Sequence, residues 1–402
     1  MAVSRRSVLA VGAGAVAGLA MPAAAHAAGR KLRFKLNAEV LDGGEQVVAV
    51  TLAASDLGPI DRSSLTTGTF TVHAKATSPL APGDNVSGQY DLDRTVTAVE
   101  VDNAGDIVLE LSYAEGQAGG ATLGWAGARG RNVRYVLTYT ITQNAPFRLR
   151  DGRSVTIAEF VQGRLVNPEV DSFSYRTSGS GMKYRLYSPV RHSGRRPLIV
   201  WLHGGGEGGS LPAYYDNETQ LRANRGALGF VTPEAQRIFG GAYVLAPQSP
   251  SFWLEDGDRY APQIRQIIKQ VVRTHQIDTD RIHVVGASNG GYMSLKMTTV
   301  YPDLFASSVP ICGVIQEITD AQLAAVDTPT WLVASRDDTT VPPQANTVHA
   351  HDLIPDSIMS LYDTVTWNGH RFPGHWSWIY VARNDPADNG RHVWPWMANQ
   401  HL

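Results

Sequence analysis

The stretch IHVVGASNGGYMSLKM at residues 282–297 decides the fold class. Three of its first four residues are apolar, as in a buried strand, and the residues after Gly291 have the pattern of a helix. Between them, GASNG matches G-x-S-x-G, a tight turn that needs nearly side-chain-free positions two residues before and after the serine. Gly286 and Gly290 occupy these positions. The stretch therefore predicts a nucleophile elbow, with the Ser288 hydroxyl beside the positive end of the following helix.

The rest of the C-terminal portion predicts an α/β domain. Continuous runs that are apolar on both faces are typical of a parallel sheet covered by helices. They lie at residues 198–202, 242–246, 282–285 and 330–334. Between the second and third run, the apolar residues 264, 267, 268, 271 and 272 have helical spacing. This alternation of strand and helix predicts a doubly wound, mostly parallel sheet in an α/β domain over residues 169–402.

Residues 29–168 follow a different pattern. Short strand-like runs recur at residues 32–36, 47–52, 70–74, 95–99, 107–111 and 133–139, and turn clusters such as DGG at residues 42–44 separate them. Strands at this spacing, with almost no helical pattern between them, predict an all-β sandwich of immunoglobulin type. The Cys-Trp-Cys signature of antibody domains is absent, because the sequence has a single cysteine, Cys312.

The first 28 residues are predicted to be an export signal. SRRSVL at residues 4–9 is a twin-arginine pattern, an apolar Ala/Gly-rich segment spans residues 8–21, and AHA at residues 25–27 offers a cleavage site. The apolar segment is too short and too rich in alanine for a good membrane anchor. We therefore expect a secreted, extracellular protein exported by the twin-arginine route, without a membrane partner after cleavage of the signal.

Composition and charge exclude some classes of partner. The hydrophobic share of 43% and charged share of 18% are those of a globular protein. A formal net charge of -2 gives no electrostatic reason to expect nucleic acid as a partner.

The sequence has no motif that is typical of a metal site. It has no H-E-x-x-H and no cysteine pair, and His349, His351 and Asp352 are weak evidence for a set of metal ligands, so we expect no metal and no cofactor. The oligomeric state is not indicated.

A nucleophilic serine needs a base and an orienting acid, which in this fold class follow it in the order acid, then histidine. The candidate acid is Asp338, which follows the apolar run at residues 330–334. A carboxylate at the C-terminal end of a strand faces the edge where sites form in open α/β sheets. The spacing of Asp338 to VP at residues 341–342 matches D-x-x-V-P, and Asp337 remains an alternative.

The candidate base is His375, in the stretch NGHRFPGHWSW at residues 368–378. It follows the predicted last strand at residues 360–365 and comes directly before an apolar, helix-like segment at residues 376–381. His370 is the alternative base.

The oxyanion hole is expected from HGGGE at residues 203–207, directly after a predicted strand. Glycines let the backbone approach a substrate carbonyl, and we expect N–H donors from Gly205 and Asn289. His203 and Glu207 in the same stretch, and Trp253 shortly after another strand end, are expected to contact the substrate. A phosphate loop is the alternative for the glycines, but the G-K-[ST] ending is missing.

At this point the sequence resembles a known family. The motifs that carry the resemblance are HGGGEGG (203–209), LAPQ (245–248), IDTDRI (277–282), SNGGY (288–292), YPDLFA (301–306), PICG (310–313) and GHWSW (374–378). Together they resemble exported α/β-hydrolase esterases of the polyhydroxybutyrate-depolymerase-like and phospholipase/carboxylesterase-like groups, some of which carry an Ig-like N-terminal domain. The resemblance covers residues 171–392 well, and the first domain only by architecture.

The resemblance implies an α/β-hydrolase fold, Ser288 as nucleophile, an aspartate of the pair Asp337 and Asp338, and His375. Asn289 departs from the methionine of many relatives, which leaves the backbone donor intact and changes the pocket wall. The function expected is a serine carboxylic-ester hydrolase that acts through an acyl-enzyme on short-acyl, aryl or polymeric esters. The alternatives are a serine peptidase of prolyl-oligopeptidase type and a non-catalytic surface-binding protein on a hydrolase scaffold.

Overall fold

The computed structural model describes residues 30–81, 83–190, 194–209 and 214–402. The predicted twin-arginine signal at residues 1–28 lies outside the described residues, so export by this route stays a prediction. In the part of the chain that the structure describes, no helix combines the length and the apolar character needed to cross a membrane.

The N-terminal half is built from strands. They are β1 (Lys31–Leu41), β2 (Gly44–Leu52), β3 (Phe70–Thr77), β4 (Val86–Ser87), β5 (Tyr90–Arg94), β6 (Val96–Val101), β7 (Ile107–Leu111), β8 (Leu123–Ala126), β9 (Arg131–Arg134), β10 (Val136–Gln143), β11 (Phe147–Arg148), β12 (Ser154–Val155) and β13 (Glu159–Val166). The larger sheets have the orders β13-β1-β2-β7-β6 and β10-β3-β5, and β4-β8-β9 form a small third sheet.

A hydrophobic core lies between the two larger sheets. Alternate residues of β1, β3 and β7 are buried, which is the period of two of a strand with one covered face. Leu36, Val72 and Leu109, one from each strand, belong to the same buried cluster. The prediction of an all-β sandwich is therefore confirmed, and we call β1–β13 the sandwich.

One strand predicted in the sandwich is wrong in extent. The run at residues 133–139 is two strands, because the chain passes from the small sheet to a larger one at Tyr135. The backbone N–H of Tyr135 donates to the carbonyl of Thr122 at 2.9 Å, and its hydroxyl bonds to the carbonyl of Ser87. Both contacts hold the chain at the corner between β9 and β10.

The C-terminal half contains an eight-stranded sheet of order β14-β15-β17-β16-β18-β19-β20-β21. Its strands are β14 (Ser174–Thr177), β15 (Lys183–Tyr187), β16 (Arg196–Leu202), β17 (Tyr243–Pro247), β18 (Ile277–Ala287), β19 (Ser307–Ile311), β20 (Trp331–Ser335) and β21 (Ile358–Tyr362). β15 pairs antiparallel with β14 and with β17, and the pairs from β17 to β21 are parallel. The predicted doubly wound, mostly parallel sheet is confirmed.

Helices and short hairpins complete this half, which we call the α/β half. The helices are α1 (Pro168–Asp171), α2 (Thr219–Arg222), α3 (Gly226–Gly229), α4 (Pro233–Ile238), α5 (Gly257–Thr274), α6 (Asn289–Val300), α7 (Asp320–Ala324), α8 (His349–Leu353), α9 (Trp378–Ala382) and α10 (Val393–Ala398). The hairpins are β22 (Val365–Trp367) with β23 (His370–Phe372), and β24 (Ala387–Asp388) with β25 (Arg391–His392).

The central strands are apolar on both sides because each face of the sheet is covered. Val200 and Val284 belong to a buried cluster on one face that includes Ile264 and Ile268 of α5. Ile199 and Val285 belong to a second cluster that includes Trp394 of α10. The sheet is therefore enclosed, and its C-terminal edge is the part free to carry a site.

The sandwich and the α/β half are joined through buried charge. Arg222 of α2 forms an ion pair with Glu45 of β2, and its Nε also donates to Glu218 at 2.6 Å. Glu45 further accepts from Asn167 and from Thr122, each at 2.7 Å. The side chains of Arg222 and Glu45 are 5% and 0% exposed, so each charge depends on the other for its compensation.

We expect Arg222→Ala to destabilise the protein strongly. The substitution leaves the carboxylate of Glu45 buried without its cation, which costs about 3–5 kcal/mol of folding free energy. Differential scanning calorimetry should show a fall of several degrees in the unfolding temperature. The matched control is Lys31→Ala, which breaks the exposed Lys31–Glu159 pair and should change the unfolding temperature little. Equal changes in the unfolding temperature for the two substitutions would contradict the stabilising role of the buried Arg222–Glu45 pair.

Candidate active site

Ser288 lies at the sharp turn between β18 and α6. Its backbone has φ 56° and ψ -114°, which is a strained conformation for a residue with a side chain. A Cβ on Gly286 would lie 2.2 Å from the carbonyl oxygen of Gly290, and a Cβ on Gly290 would lie 1.9 Å from that of Leu202. Both glycines are therefore required by the tightness of the turn, which presents the serine at the C-terminal edge of the sheet.

His375 reaches Ser288 from a short 3₁₀ turn at Gly374–Trp376. The Ser288 hydroxyl and Nε2 of His375 are 2.9 Å apart. On the other side of the ring, Nδ1 lies 2.8 Å from Oδ2 of Asp338. With the proton on Nδ1, the ring donates to the carboxylate and accepts from the serine, which is the tautomer of a general base.

Asp338 is held rigidly in this position. It is buried, and its Oδ1 accepts hydrogen bonds from the backbone N–H groups of Thr340 and Val341, at 2.8 and 2.9 Å. The D-x-x-V-P spacing thus corresponds to a turn whose backbone N–H groups bind the aspartate side chain at its start. Asp337 points elsewhere and bonds to Ser335 and Arg371. Of the two predicted acids, the structure brings Asp338 to the histidine.

His370, the alternative base, lies in the β22–β23 hairpin. Its ring packs edge-on against Phe372 at 4.6 Å between centroids, and it has no contact with Ser288 among the hydrogen bonds of the described residues. This hairpin was not predicted. The predicted strand at residues 360–365 is wrong in its bounds, because β21 pairs with β20 over Ile358–Tyr362 and the chain then turns.

Electrostatics at His375 favour the protonated ring relative to free imidazole. Burial alone would lower the pKa of His375, but the negative charge of Asp338, which bonds to Nδ1 at 2.8 Å, outweighs the effect of burial. The pKa of His375 is therefore raised above its ordinary value. Cys312 is buried, and its thiol donates to the carbonyl of His375 at 3.2 Å.

The two candidate oxyanion residues lie close together, since a Cβ on Gly205 would be 3.9 Å from Cβ of Asn289, the residue that follows Ser288. Gly205 begins a 3₁₀ turn at Gly205–Glu207, and both it and Ser288 line the same cavity. Asn289 is the first residue of α6, and its side chain accepts from the backbone N–H of Leu254 at 3.2 Å. The amide side chain is thus engaged away from Ser288.

A cavity of about 490 Å³ opens at Ser288 and His375. Its apolar walls come from four aromatic side chains, which are Trp125, Phe252, Trp376 and Trp378. Trp125 belongs to β8 of the sandwich, and further sandwich residues at the cavity are Asp42, Gly43, Gly130 and Asn132. The sandwich therefore forms one wall of the cavity, a role that the sequence did not predict.

Two predicted substrate contacts are wrong. His203 is 1% exposed, and its ring bonds to the carbonyl of Gly204 and to the N–H of Ser249. Burial lowers the pKa of His203 to about 4, so the ring is neutral. Trp253 is fully buried, and its indole N–H donates to the carbonyl of His203 at 3.0 Å. Both side chains support the glycine loop from within the core, and the neighbouring Phe252 lines the cavity instead.

Glu207, the third predicted substrate contact, does line the cavity. Its Oε1 accepts from Asn132 of the sandwich at 3.2 Å. Burial raises the pKa of Glu207 to about 7, although nearby backbone N–H groups partly offset the effect. This carboxyl group therefore changes charge near neutral pH.

Metal-type ligand atoms come together at one place in the described ranges. Those of Cys312, Asp338 and His375 lie within 4.8 Å of one another. The carboxylate and the imidazole of this group already bond to each other, and the imidazole also bonds to Ser288. These ligand atoms are therefore already engaged in hydrogen bonds. The absence of a metal and of a cofactor stays a prediction.

Comparison with known proteins identifies the class. The family model described as esterase Ig-like N-terminal domain matches residues 34–156, and that of the prolyl oligopeptidase family matches residues 250–323. A thermostable esterase of known structure superposes with a TM-score of 0.73 at 26% identity, covering 92% of this chain and 99% of that chain. The chain has an α/β-hydrolase fold with an Ig-like N-terminal domain, and it is similar to an esterase that shares this architecture. The resemblance to such esterases is thereby confirmed.

Curated relatives match this α/β-hydrolase over a shorter region. The poly(3-hydroxyalkanoate) depolymerase C of Paucimonas lemoignei is 29% identical over 153 residues, which are 35% of this chain and 33% of the relative. The acetylxylan esterase of Coprinopsis cinerea is 24% identical over 140 residues, 35% of this chain and 37% of the relative. The matched region is therefore little more than a third of each relative.

Proposed function

We propose that this α/β-hydrolase cleaves carboxylic esters through an acyl-enzyme formed on Ser288. The observation that supports the proposal most strongly is the hydrogen-bond chain from the Ser288 hydroxyl through His375 to Asp338, with distances of 2.9 and 2.8 Å. A serine activated in this way attacks carbonyl carbon.

In the proposed reaction, His375 takes the Ser288 proton as the serine oxygen bonds to the ester carbonyl carbon. The backbone N–H groups of Gly205 and Asn289 stabilise the negative charge that develops on the carbonyl oxygen. His375 then gives the proton to the leaving alcohol, and the acyl group stays on Ser288. Water repeats the sequence and releases the acid. Asp338 holds the tautomer of the ring and stabilises its cation.

The walls of the cavity support an ester with an apolar or aryl group. Four aromatic side chains surround the reacting serine, and aromatic walls favour flat or aliphatic groups over charged ones. Short-acyl, aryl and polymeric esters remain the proposed substrates, since the relatives include a poly(3-hydroxyalkanoate) depolymerase and an acetylxylan esterase. We also propose that the enzyme acts outside the cell after twin-arginine export, as residues 4–9 predict.

A serine peptidase is the second candidate, because the prolyl oligopeptidase family model matches residues 250–323, around the elbow. The esterase-type Ig-like domain over residues 34–156 favours the esterase.

Matched substrates separate the two candidates. We expect turnover of p-nitrophenyl butyrate and none of butyryl p-nitroanilide, because the poorer leaving group of an amide needs protonation and positioning that an esterase does not supply. The assay measures kcat/KM for both compounds at one pH. Hydrolysis of the anilide at a rate comparable with the ester would contradict the proposed function and favour the peptidase.

A further inference from the structure

Glu207 and Asn132 meet where the sandwich touches the glycine loop of the active site. Asn132, on β9, donates from Nδ2 to Oε1 of Glu207 at 3.2 Å. The two halves are in close contact here, since a Cβ on Gly206 would lie 2.9 Å from Asn132 Nδ2 and 2.9 Å from the Trp125 ring. Glu207 and Asn132 both line the cavity that holds Ser288.

The second oxygen of Glu207 has no partner. Oε2 is buried and has no hydrogen-bond partner of good geometry among the described residues, and the whole residue is only 7% exposed. The backbone N–H of Gly204 and the charge of Arg131 lie near the carboxylate and partly offset its burial. A buried carboxylate oxygen without a donor is costly, which is why burial raises the pKa of Glu207. A donor from outside the chain that reached Oε2 would remove the rest of this cost.

The unpartnered oxygen lies beside the nucleophile. A Cβ placed on Gly204 would be 3.0 Å from Oε2 of Glu207 and 3.8 Å from Cβ of Ser288. The carboxylate oxygen and the serine side chain thus both border the space beside the Gly204 backbone. Because Gly204 has no side chain, a substrate group next to the reacting carbonyl can come within reach of Oε2.

We propose that Glu207 and Asn132 form a polar subsite that binds a hydroxyl group carried by the substrate next to its scissile ester. The hydroxyl donates to Oε2 of Glu207, and Asn132 keeps the carboxylate turned toward the cavity. A site built to bond a hydroxyl discriminates against the analogue that lacks it, because the buried oxygen is then left unpaired. This inference rests on the proposed ester hydrolysis and names the substrate class within it.

The hydroxyl can belong to either part of the ester, and two matched pairs of substrates distinguish the sources. For the acyl part we compare p-nitrophenyl 3-hydroxybutyrate with p-nitrophenyl butyrate. For the alcohol part we compare glycerol monobutyrate with propyl butyrate. The quantity measured is the ratio of kcat/KM for the hydroxylated ester to kcat/KM for its partner, at pH 8.5, where most of Glu207 is charged.

We expect the wild type to prefer the hydroxylated ester of one pair by about tenfold, the usual worth of a hydrogen bond to a charged group. Glu207→Leu removes both oxygens and should bring that ratio close to one. Glu207→Gln keeps the size of the side chain and an acceptor for Asn132 but removes the charge, so it should lower the ratio severalfold. If Glu207→Leu does not fold, the ratio measured for Glu207→Gln tests the proposal. Glu255→Leu, at an exposed position outside the cavity, is the control and should keep the wild-type ratio.

The proposal is overturned if the wild type shows no preference in either pair, or if a folded Glu207 variant keeps the wild-type ratio. Both results leave ester hydrolysis intact, provided that the wild type turns over p-nitrophenyl butyrate. An enzyme that cleaves none of the four esters contradicts the proposed function itself, so the two failures are distinguishable.

Discussion

We expect Ser288→Ala to lower kcat for ester hydrolysis by on the order of 10⁴-fold or more while the fold is retained. The large effect is expected because the hydroxyl that bonds to Nε2 of His375 is the atom that forms the acyl-enzyme. The measurement is the initial rate on p-nitrophenyl butyrate, together with the unfolding temperature of the variant.

The control is Thr299→Ala, which removes a hydroxyl from the far end of the same helix, where it donates to the carbonyl of Lys296. This variant should keep the wild-type rate. If Ser288→Ala kept more than a small fraction of the activity while Thr299→Ala was normal, Ser288 would not be the nucleophile.

Asp338→Asn should lower kcat by roughly 10⁴-fold, because the amide favours the wrong tautomer of His375. It should also change the pH profile. Attack needs the neutral imidazole, so kcat/KM rises as the pH rises through the pKa of His375. That pKa is raised above its ordinary value in the wild type, so the ascending limb lies above the usual imidazole range. Loss of the negative charge of Asp338 moves this limb to lower pH.

Asp337→Asn is the matched control for this experiment. Asp337 is adjacent in sequence but bonds to Ser335 and Arg371 instead of His375, so the position of the limb should not change. The measurement is kcat/KM on p-nitrophenyl butyrate across the pH range. A limb that moved in Asp337→Asn and stayed in Asp338→Asn would reverse the assignment of the acid.

Parts of the fold and site whose geometry is local could be predicted from the sequence. The elbow is predictable because only glycine fits beside Ser288 at residues 286 and 290. The central strands are predictable because both of their faces are covered. β19 (Ser307–Ile311) was harder to recognise, since serine and proline interrupt its apolar pattern although all five residues are buried.

Side-chain direction at the edge of the sheet could not be predicted. Asp337 and Asp338 follow the same strand, and only the turn that binds Oδ1 of Asp338 separates them. Trp253 follows a strand end as expected, but it points into the core while Phe252 faces the cavity. A position at a strand end predicts that a residue lies near the site. Whether its side chain lines the cavity or is buried behind it depends on tertiary packing.

The contribution of the sandwich was the least predictable part. Trp125 and Asn132 are more than 150 positions from Ser288 in the sequence, and they reach the cavity only because the two halves dock through contacts such as Glu45–Arg222. The sequence of residues 123–134 has no local pattern from which the contact between the two halves could be predicted. The aromatic walls and the Asn132–Glu207 contact follow from tertiary structure alone.

Reaction with a fluorophosphonate, followed by peptide mapping, tests the central claim most directly. If Ser288 is activated by His375, the reagent should label one residue per chain, at Ser288, and the label should be lost in His375→Ala. An enzyme that hydrolyses esters but takes the label at another residue, or whose Ser288 reacts equally well without His375, would contradict the account.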